Sequence, residues 1–148
     1  MNEETIIDFT TLEPNIQTLI KKSIAAREYS YSPYSKFKVG AAILCVDGTI
    51  FTGCNVENAS YPVGTCAERT AIVKAVSEGK RKFKALAVAA DKEKNDFVTP
   101  CGFCRQAIAE FGDIIIYLTG PDTTSVLKTT ICKLLPHAFG LGNTEILE

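Results

Sequence analysis

Cys66-Ala67-Glu68-Arg69-Thr70-Ala71-Ile72 and, further along, Pro100-Cys101-Gly102-Phe103-Cys104 are the stretches around which this chain is organised. In the first, Ala67, Ala71, Ile72, Ala75 and Val76 recur at helical spacing, and Gly79 supplies a C-terminal stop. A helix is therefore predicted, with Cys66 and Glu68 in its first turn. The second stretch opens another helix, whose Ile108 and Phe111 point inward and which Gly112-Asp113 ends. Thiols at such positions meet backbone N–H groups and the positive end of the helix dipole, which favour the thiolate, the form that binds metal.

Cys101 and Cys104 have the C-x-x-C spacing that lets both sulfurs reach one ion, and Cys66 arrives from a separate element. Zinc prefers four ligands; a catalytic site takes three from the protein and leaves the fourth to water. Glu68 need not bind metal, because a carboxylate held beside a zinc-bound water can remove its proton and later deliver it to a leaving group. Two other readings use the cysteines differently. A redox pair expects a thioredoxin-like βαβ context and leaves Cys66 and Glu68 without a role. A closed structural zinc site, as in a non-catalytic interaction module, needs a fourth ligand from Cys45, Cys54, Cys132 or His137, none at zinc-finger spacing. Glu68 separates these readings, since a structural site has no use for a proton carrier. Cys45, Cys54 and Cys132 lie in apolar or small-residue stretches and are read as core packing.

The chain has 148 residues, 46% of them hydrophobic and 22% charged, with a formal net charge of −1. That describes one ordinary globular domain over residues 1–148, with residues 1–13 and 141–148 as poorly structured tails. No excess of Lys and Arg is available to grip phosphates, so no nucleic-acid partner is expected. The basic cluster Lys80-Arg81-Lys82, with Lys84, reads as a solvated helix end. No apolar run approaches the roughly 20 residues of a spanning helix, so no membrane partner is expected either. Residues 1–13 carry no signal-peptide pattern, which points to a reducing, cytoplasmic compartment.

Working outward along the chain, Pro14 suits the first turn of a helix in which Ile16, Leu19, Ile20 and Ile24 form an apolar stripe. Ser32-Pro33 interrupts it. Phe37 to Val46 is apolar on both alternating faces. Asp47-Gly48, a tight two-residue turn signal, separates it from Thr49 to Cys54, so a β-hairpin is predicted. Gly40-Ala41-Ala42 is poor strand material, and either a ligand or a closely packed helix must approach the backbone there. Lys84 to Asp91 and Ile114 to Leu118 read as further strands, and Val126 to Leu135 as a fifth strand followed by a short helical turn. Alternating strands and helices give an α/β layered domain, with the hairpin making its sheet of about five strands mixed.

Three thiolates around Zn²⁺ leave a net charge of −1, which weakens the metal's pull on water. Arg69, in the same turn as Cys66, could donate to the sulfurs and offset it; the alternative is a surface arginine.

Phe37-Lys38-Val39-Gly40-Ala41-Ala42, Gly53-Cys54-Asn55-Val56-Glu57-Asn58-Ala59-Ser60-Tyr61, Cys66 to Ala71 and Pro100 to Gln106 occur in this order, with Leu134-Leu135-Pro136 and Phe139 behind them. Together these motifs resemble the cytidine deaminases of pyrimidine salvage, from about Tyr31 to Gly140. The general zinc deaminase signature, Cys or His, any residue, Glu, then P-C-x-x-C, is part of the match. The resemblance implies hydrolysis of the 4-amino group of cytidine and deoxycytidine by water. It implies zinc, one per chain, on Cys66, Cys101 and Cys104, with Glu68 as proton shuttle. Asn55 and Glu57 would hold the ribose hydroxyls and Phe37 would pack on the pyrimidine. A homotetramer is implied, with Ala59, Tyr61 and Phe139 contributed across interfaces; from position alone, Phe139 would instead anchor the tail to its own subunit. A related deaminase of an antibiotic nucleoside shares the zinc residues but would not need Asn55 and Glu57 to grip ribose.

Overall fold

The computed structural model describes residues 4–92 and 96–140. Its elements, in order, are β1 (Thr5–Ile7), α1 (Pro14–Arg27), β2 (Val39–Cys45), β3 (Ile50–Cys54), α2 (Ala67–Ser77), β4 (Phe83–Ala90), α3 (Gly102–Ala109), β5 (Ile115–Thr119), β6 (Val126–Thr130) and α4 (Ile131–Leu134). The strands form one mixed sheet in the order β1-β6-β5-β4-β2-β3. Its one parallel pair among the described residues is β4 with β5, joined through α3, as parallel neighbours require a crossover. The α/β architecture and the mixed sheet follow the expectation.

The sheet has six strands rather than about five. Thr5, Ile6 and Ile7, assigned above to a loose tail, pair antiparallel with Lys128, Leu127 and Val126. Three residues are too few to show an alternating pattern; the open edge of β6 makes them a strand. Asp8 then closes the segment by accepting the Thr10 backbone N–H at 2.8 Å. The second expected tail, 141–148, lies outside the described residues.

Strand β2 is apolar on both sides because both sides are covered. Ala41, Ile43 and Cys45 join Leu86, Val88, Ile108, Ile116 and Leu118 in a core against α2 and α3. Ala42 and Leu44 meet Leu19 and Ile20 of α1 on the opposite face. The two helices approach the sheet at glycines. A Cβ on Gly40 would stand 2.0 Å from the Ser23 carbonyl oxygen of α1, and one on Gly53 would stand 2.5 Å from the Ala71 nitrogen of α2. Close helix packing, rather than a ligand, therefore explains the small residues of β2.

The hairpin between β2 and β3 turns through three residues, Val46, Asp47 and Gly48, not two. Gly48 N–H donates to Cys45 O at 3.0 Å, Cys45 N–H donates to Thr49 O at 2.8 Å, and Gly48 has φ +91°. A right-handed turn twists against the strands, and one extra residue at positive φ restores their alignment. Helix α2 ends as expected at Gly79, φ +83°.

Candidate active site

Helices α2 and α3 point their N-termini toward one place. Cys66 is the N-cap of α2 and Cys101 the N-cap of α3, both with extended backbones, and neither side chain makes a capping bond to its helix backbone. A cysteine there keeps its sulfur free of the cap, while the first-turn N–H groups face it. Cys104 lies in the first turn of α3, fully buried. The three sulfurs lie within 4.8 Å of one another, and those of Cys66 and Cys101 are 3.7 Å apart. Tetrahedral zinc with Zn–S near 2.3 Å needs sulfurs roughly 3.8 Å apart, so the donor set fits this metal.

The thiols act on one another electrically. Donation from the Cys104 thiol, reinforced by Arg69 and the Cys101 thiol, brings the Cys66 thiol down to about 5. The same contact, with burial and the Glu68 carboxylate, pushes Cys104 up. The Arg69 guanidinium stands 3.9 Å from the Cys66 sulfur through Nη2 and lies over the Phe103 ring at 5.4 Å. Arg69 is therefore not a free surface residue, and its charge opposes that of the thiolates.

Glu68 occupies the first turn of α2 with only 5% of its surface exposed. Burial pushes its carboxyl up, and the neighbouring Cys66 thiolate adds to this, while its own backbone N–H and the Cys104 thiol oppose it. A buried carboxyl facing thiols is positioned to carry a proton rather than a permanent charge.

Beside the cluster lies a cavity of about 710 Å³, lined by Tyr34, Asn55, Glu57, Tyr61, Arg69, Phe103 and the sulfur-bearing Cys66 and Cys101, among others. Glu57 Oε1 accepts the backbone N–H groups of Tyr34 at 3.0 Å and Ser35 at 3.2 Å, leaving Oε2 toward other partners. Donation from Ser35 holds its carboxyl below the usual carboxylate range. Asn55 is more committed than its residue type suggests. Its Oδ1 accepts the Ser30 hydroxyl at 2.5 Å and the Val39 N–H at 2.9 Å, and its Nδ2 donates to Phe37 O at 2.7 Å. The amide therefore has one spare N–H for a ligand, not a spare carbonyl.

Other expected site residues stand apart from this cavity within the single chain. Phe37, Ala59 and Phe139 do not line it. Phe37 contributes its carbonyl to Asn55, and the backbone oxygen of Phe139, a residue 75% exposed, accepts from Gln106 Nε2 at 2.9 Å. Of the cysteines read as core, Cys45 is buried, but Cys54 is half-buried with its thiol on Tyr29 O at 3.3 Å, and Cys132 is exposed. The short α4 turns Cys132 outward because Ile131 takes the buried position. Sequence reading did not assign Phe103 or Tyr34 to the pocket; an aromatic residue inside the C-x-x-C was the available signal for Phe103.

Three convergent thiols, a buried carboxyl beside them and an adjoining cavity have the parts of a catalytic zinc site that activates water. Residues 13–119 match the family model described as the cytidine and deoxycytidylate deaminase zinc-binding region. A cytidine deaminase of Sporosarcina psychrophila is 56% identical over 127 residues, covering 84% of this chain and 91% of that one. One from Halalkalibacterium halodurans is 50% identical, covering 83% and 92%. The crystal structure of cytidine deaminase from Burkholderia pseudomallei superposes with a TM-score of 0.77 at 46% identity, covering 83% of this chain and 98% of that one. The chain belongs to the cytidine and deoxycytidylate deaminase family.

Proposed function

We propose that this protein hydrolyses the 4-amino group of cytidine and deoxycytidine, giving the uridine product and ammonia, as a step of pyrimidine salvage. The observation that carries this reading is the buried Glu68 carboxyl beside three sulfurs that meet zinc's spacing, two of which, those of Cys66 and Cys101, belong to residues lining a nucleoside-sized cavity. Cys66, Cys101 and Cys104 are the residues that hold the zinc. When bound, the metal supplies Lewis acidity that makes water acidic near neutral pH. Glu68 would accept the attacking water's proton and deliver it to the departing amine, and its burial raises its proton affinity toward that of the groups it exchanges with. Arg69 limits the negative charge of the thiolate set.

On the sugar side, Glu57 Oε2 accepts from a ribose hydroxyl and the spare Asn55 N–H donates to one. A ligand lacking those hydroxyls leaves a carboxylate and an amide unpaired, which disfavours free cytosine. Phe37, Ala59, Tyr61 and Phe139 complete the pocket in a homotetramer whose sites are shared between subunits. Tyr61 and Phe103, 78% and 77% exposed on the same cavity, and Phe139, 75% exposed, leave aromatic surface free for such contacts. Free thiols at the metal site support a reducing, cytoplasmic setting. No helix among the described residues is long and apolar enough to cross a membrane.

The test is direct. Purified protein incubated with cytidine should remove the cytosine absorbance and release one ammonia per nucleoside, and a zinc chelator should stop it. Zinc-loaded protein that leaves cytidine and deoxycytidine unchanged would overturn the reading.

A further inference from the structure

Arg105, one residue beyond the last thiol, holds three separate pieces of the chain. Its Nε donates to Pro100 O at 2.7 Å, its Nη2 to the Thr99 hydroxyl at 2.9 Å and its Nη1 to Leu134 O at 2.6 Å. All three acceptors are neutral, and among the described residues no carboxylate pairs with this guanidinium. Two of the contacts grip the residues immediately before Cys101, and Pro100 is itself fully buried. The third grips the last residue of α4 (Ile131–Leu134), from which the chain runs on to Phe139. The next side chain, Gln106, holds Phe139 O from the same helix.

We propose that Arg105 is a positioning residue for the thiol cluster: by bending the Thr99–Pro100 backbone onto α3 it sets where the Cys101 sulfur stands relative to Cys104, and through Leu134 it ties the C-terminal segment to the metal helix.

The physical reason lies in the loop. Cys101 is exposed and sits at the N-cap, where its carbonyl accepts the Arg105 N–H at 2.9 Å while its extended backbone and uncapped side chain lie outside the helical turn, so that one bond leaves open the direction from which its sulfur approaches. The planar guanidinium supplies that direction with several donors held in one rigid fork, which a lysine ammonium on a flexible stem cannot copy. Residues that orient metal ligands from behind change metal affinity by about 10- to 100-fold when replaced. The same clamp makes the thiol pair and the tail move together. Loosening the Pro100 contact therefore also loosens Leu134, and with it the approach of the chain to Phe139.

This inference rests on zinc binding at Cys66, Cys101 and Cys104, which is measured first in the unaltered protein. Arg105→Gln, Arg105→Lys and Thr99→Val are then compared with Asp113→Ala. The last removes the carboxylate that accepts the Cys132 N–H at 2.9 Å and so disturbs α4 without touching the metal loop. The readouts are the rate of zinc release to a chromophoric chelator, the sulfur-to-cobalt charge-transfer band of the Co²⁺-loaded protein, and the unfolding midpoint. Zinc release is expected to quicken about tenfold or more in Arg105→Gln, and nearly as much in Arg105→Lys. Thr99→Val should move it less, with a shifted cobalt band in all three and neither change in Asp113→Ala. If Arg105→Gln does not fold, Arg105→Lys and Thr99→Val decide. Unchanged release and an unchanged cobalt band in the folded variants overturn the proposal. So does a quickening that Asp113→Ala reproduces at equal loss of stability. Unaltered protein that binds no zinc would instead overturn the metal reading on which the clamp depends.

Discussion

The sulfurs of Cys66 and Cys101 stand 3.7 Å apart although 35 residues separate them in the chain, each at the N-cap of its own helix. Helix α2 reaches this point by packing on the sheet through Gly53, and α3 reaches it as the crossover between the parallel strands β4 and β5. The metal site is therefore a consequence of how two helices are laid on one face of the sheet. Its two halves can be disturbed separately, through the ligands or through the packing.

Only the three clustered thiols should hold metal. Alanine at Cys66, Cys101 or Cys104 is expected to abolish stoichiometric zinc. Alanine at Cys45, Cys54 or Cys132 should leave one zinc per chain, because those sulfurs lie outside the cluster. Metal analysis of the six purified variants checks this; zinc lost from any of the second group would break the ligand assignment.

Glu68→Gln keeps the shape of the side chain but cannot shuttle a proton. Turnover is expected to fall by at least the 10²- to 10⁴-fold typical of a lost general acid/base, with zinc content retained. Single-turnover absorbance with excess enzyme provides the measurement, and a rate near that of the parent would sink the proposed mechanism.

Asn55 should matter for the fold as well as the ligand. Asn55→Ala removes the side-chain partner of the Val39 N–H and of the Phe37 carbonyl, and leaves the Ser30 hydroxyl only Ser32 Oγ at 3.1 Å. A loss of about 1–3 kcal/mol of stability is expected, besides weaker nucleoside binding. Glu57→Gln should weaken binding with a smaller loss of stability, since an amide oxygen still accepts the Tyr34 and Ser35 N–H groups. Denaturant curves and nucleoside titrations separate the two effects; equal stability losses would show that Asn55 is not the main brace.

Gly40→Ala and Gly53→Ala should each destabilise without touching a site residue. The added methyl meets backbone rather than a movable side chain, so helix and strand must separate, at about 1–3 kcal/mol or more. Unfolding midpoints equal to the parent's would mean that the helices do not rest on these glycines.

Phe139 tests the shared site. Chains carrying Glu68→Gln and chains carrying Phe139→Ala are each expected to be impaired, and under the proposed shared site a mixed oligomer would contain sites that join an intact Glu68 to a neighbour's intact Phe139. Activity should partly recover on subunit exchange. Confirmed exchange with no recovery would assign Phe139 to its own chain.

The reactive core of this protein was legible in the chain because its parts are local. The C-x-x-C pair and the Cys66-x-Glu68 pair each lie within one helical turn, where spacing alone sets which side chains share a face. The stop at Gly79, the existence of the hairpin though not its turn length, and the double-faced strand read over Phe37 to Val46, observed over Val39–Cys45, were legible for the same reason. Features that depend on a partner distant in sequence were not. Thr5–Ile7 is a strand only because β6 presents an unpaired edge, and Cys132 is exposed only because Ile131 takes the buried side of a four-residue helix. Asn55 shows the limit most plainly. Its residue type allows it to offer a carbonyl or an N–H to a ligand, and the choice falls to Ser30, Val39 and Phe37, brought to it from the stretch that leads from α1 into the start of β2. Residue types and short spacings thus settled which groups can do the chemistry. Tertiary structure decided which of their donors, acceptors and faces remain available, since hydrogen bonds and burial are set by neighbours in space.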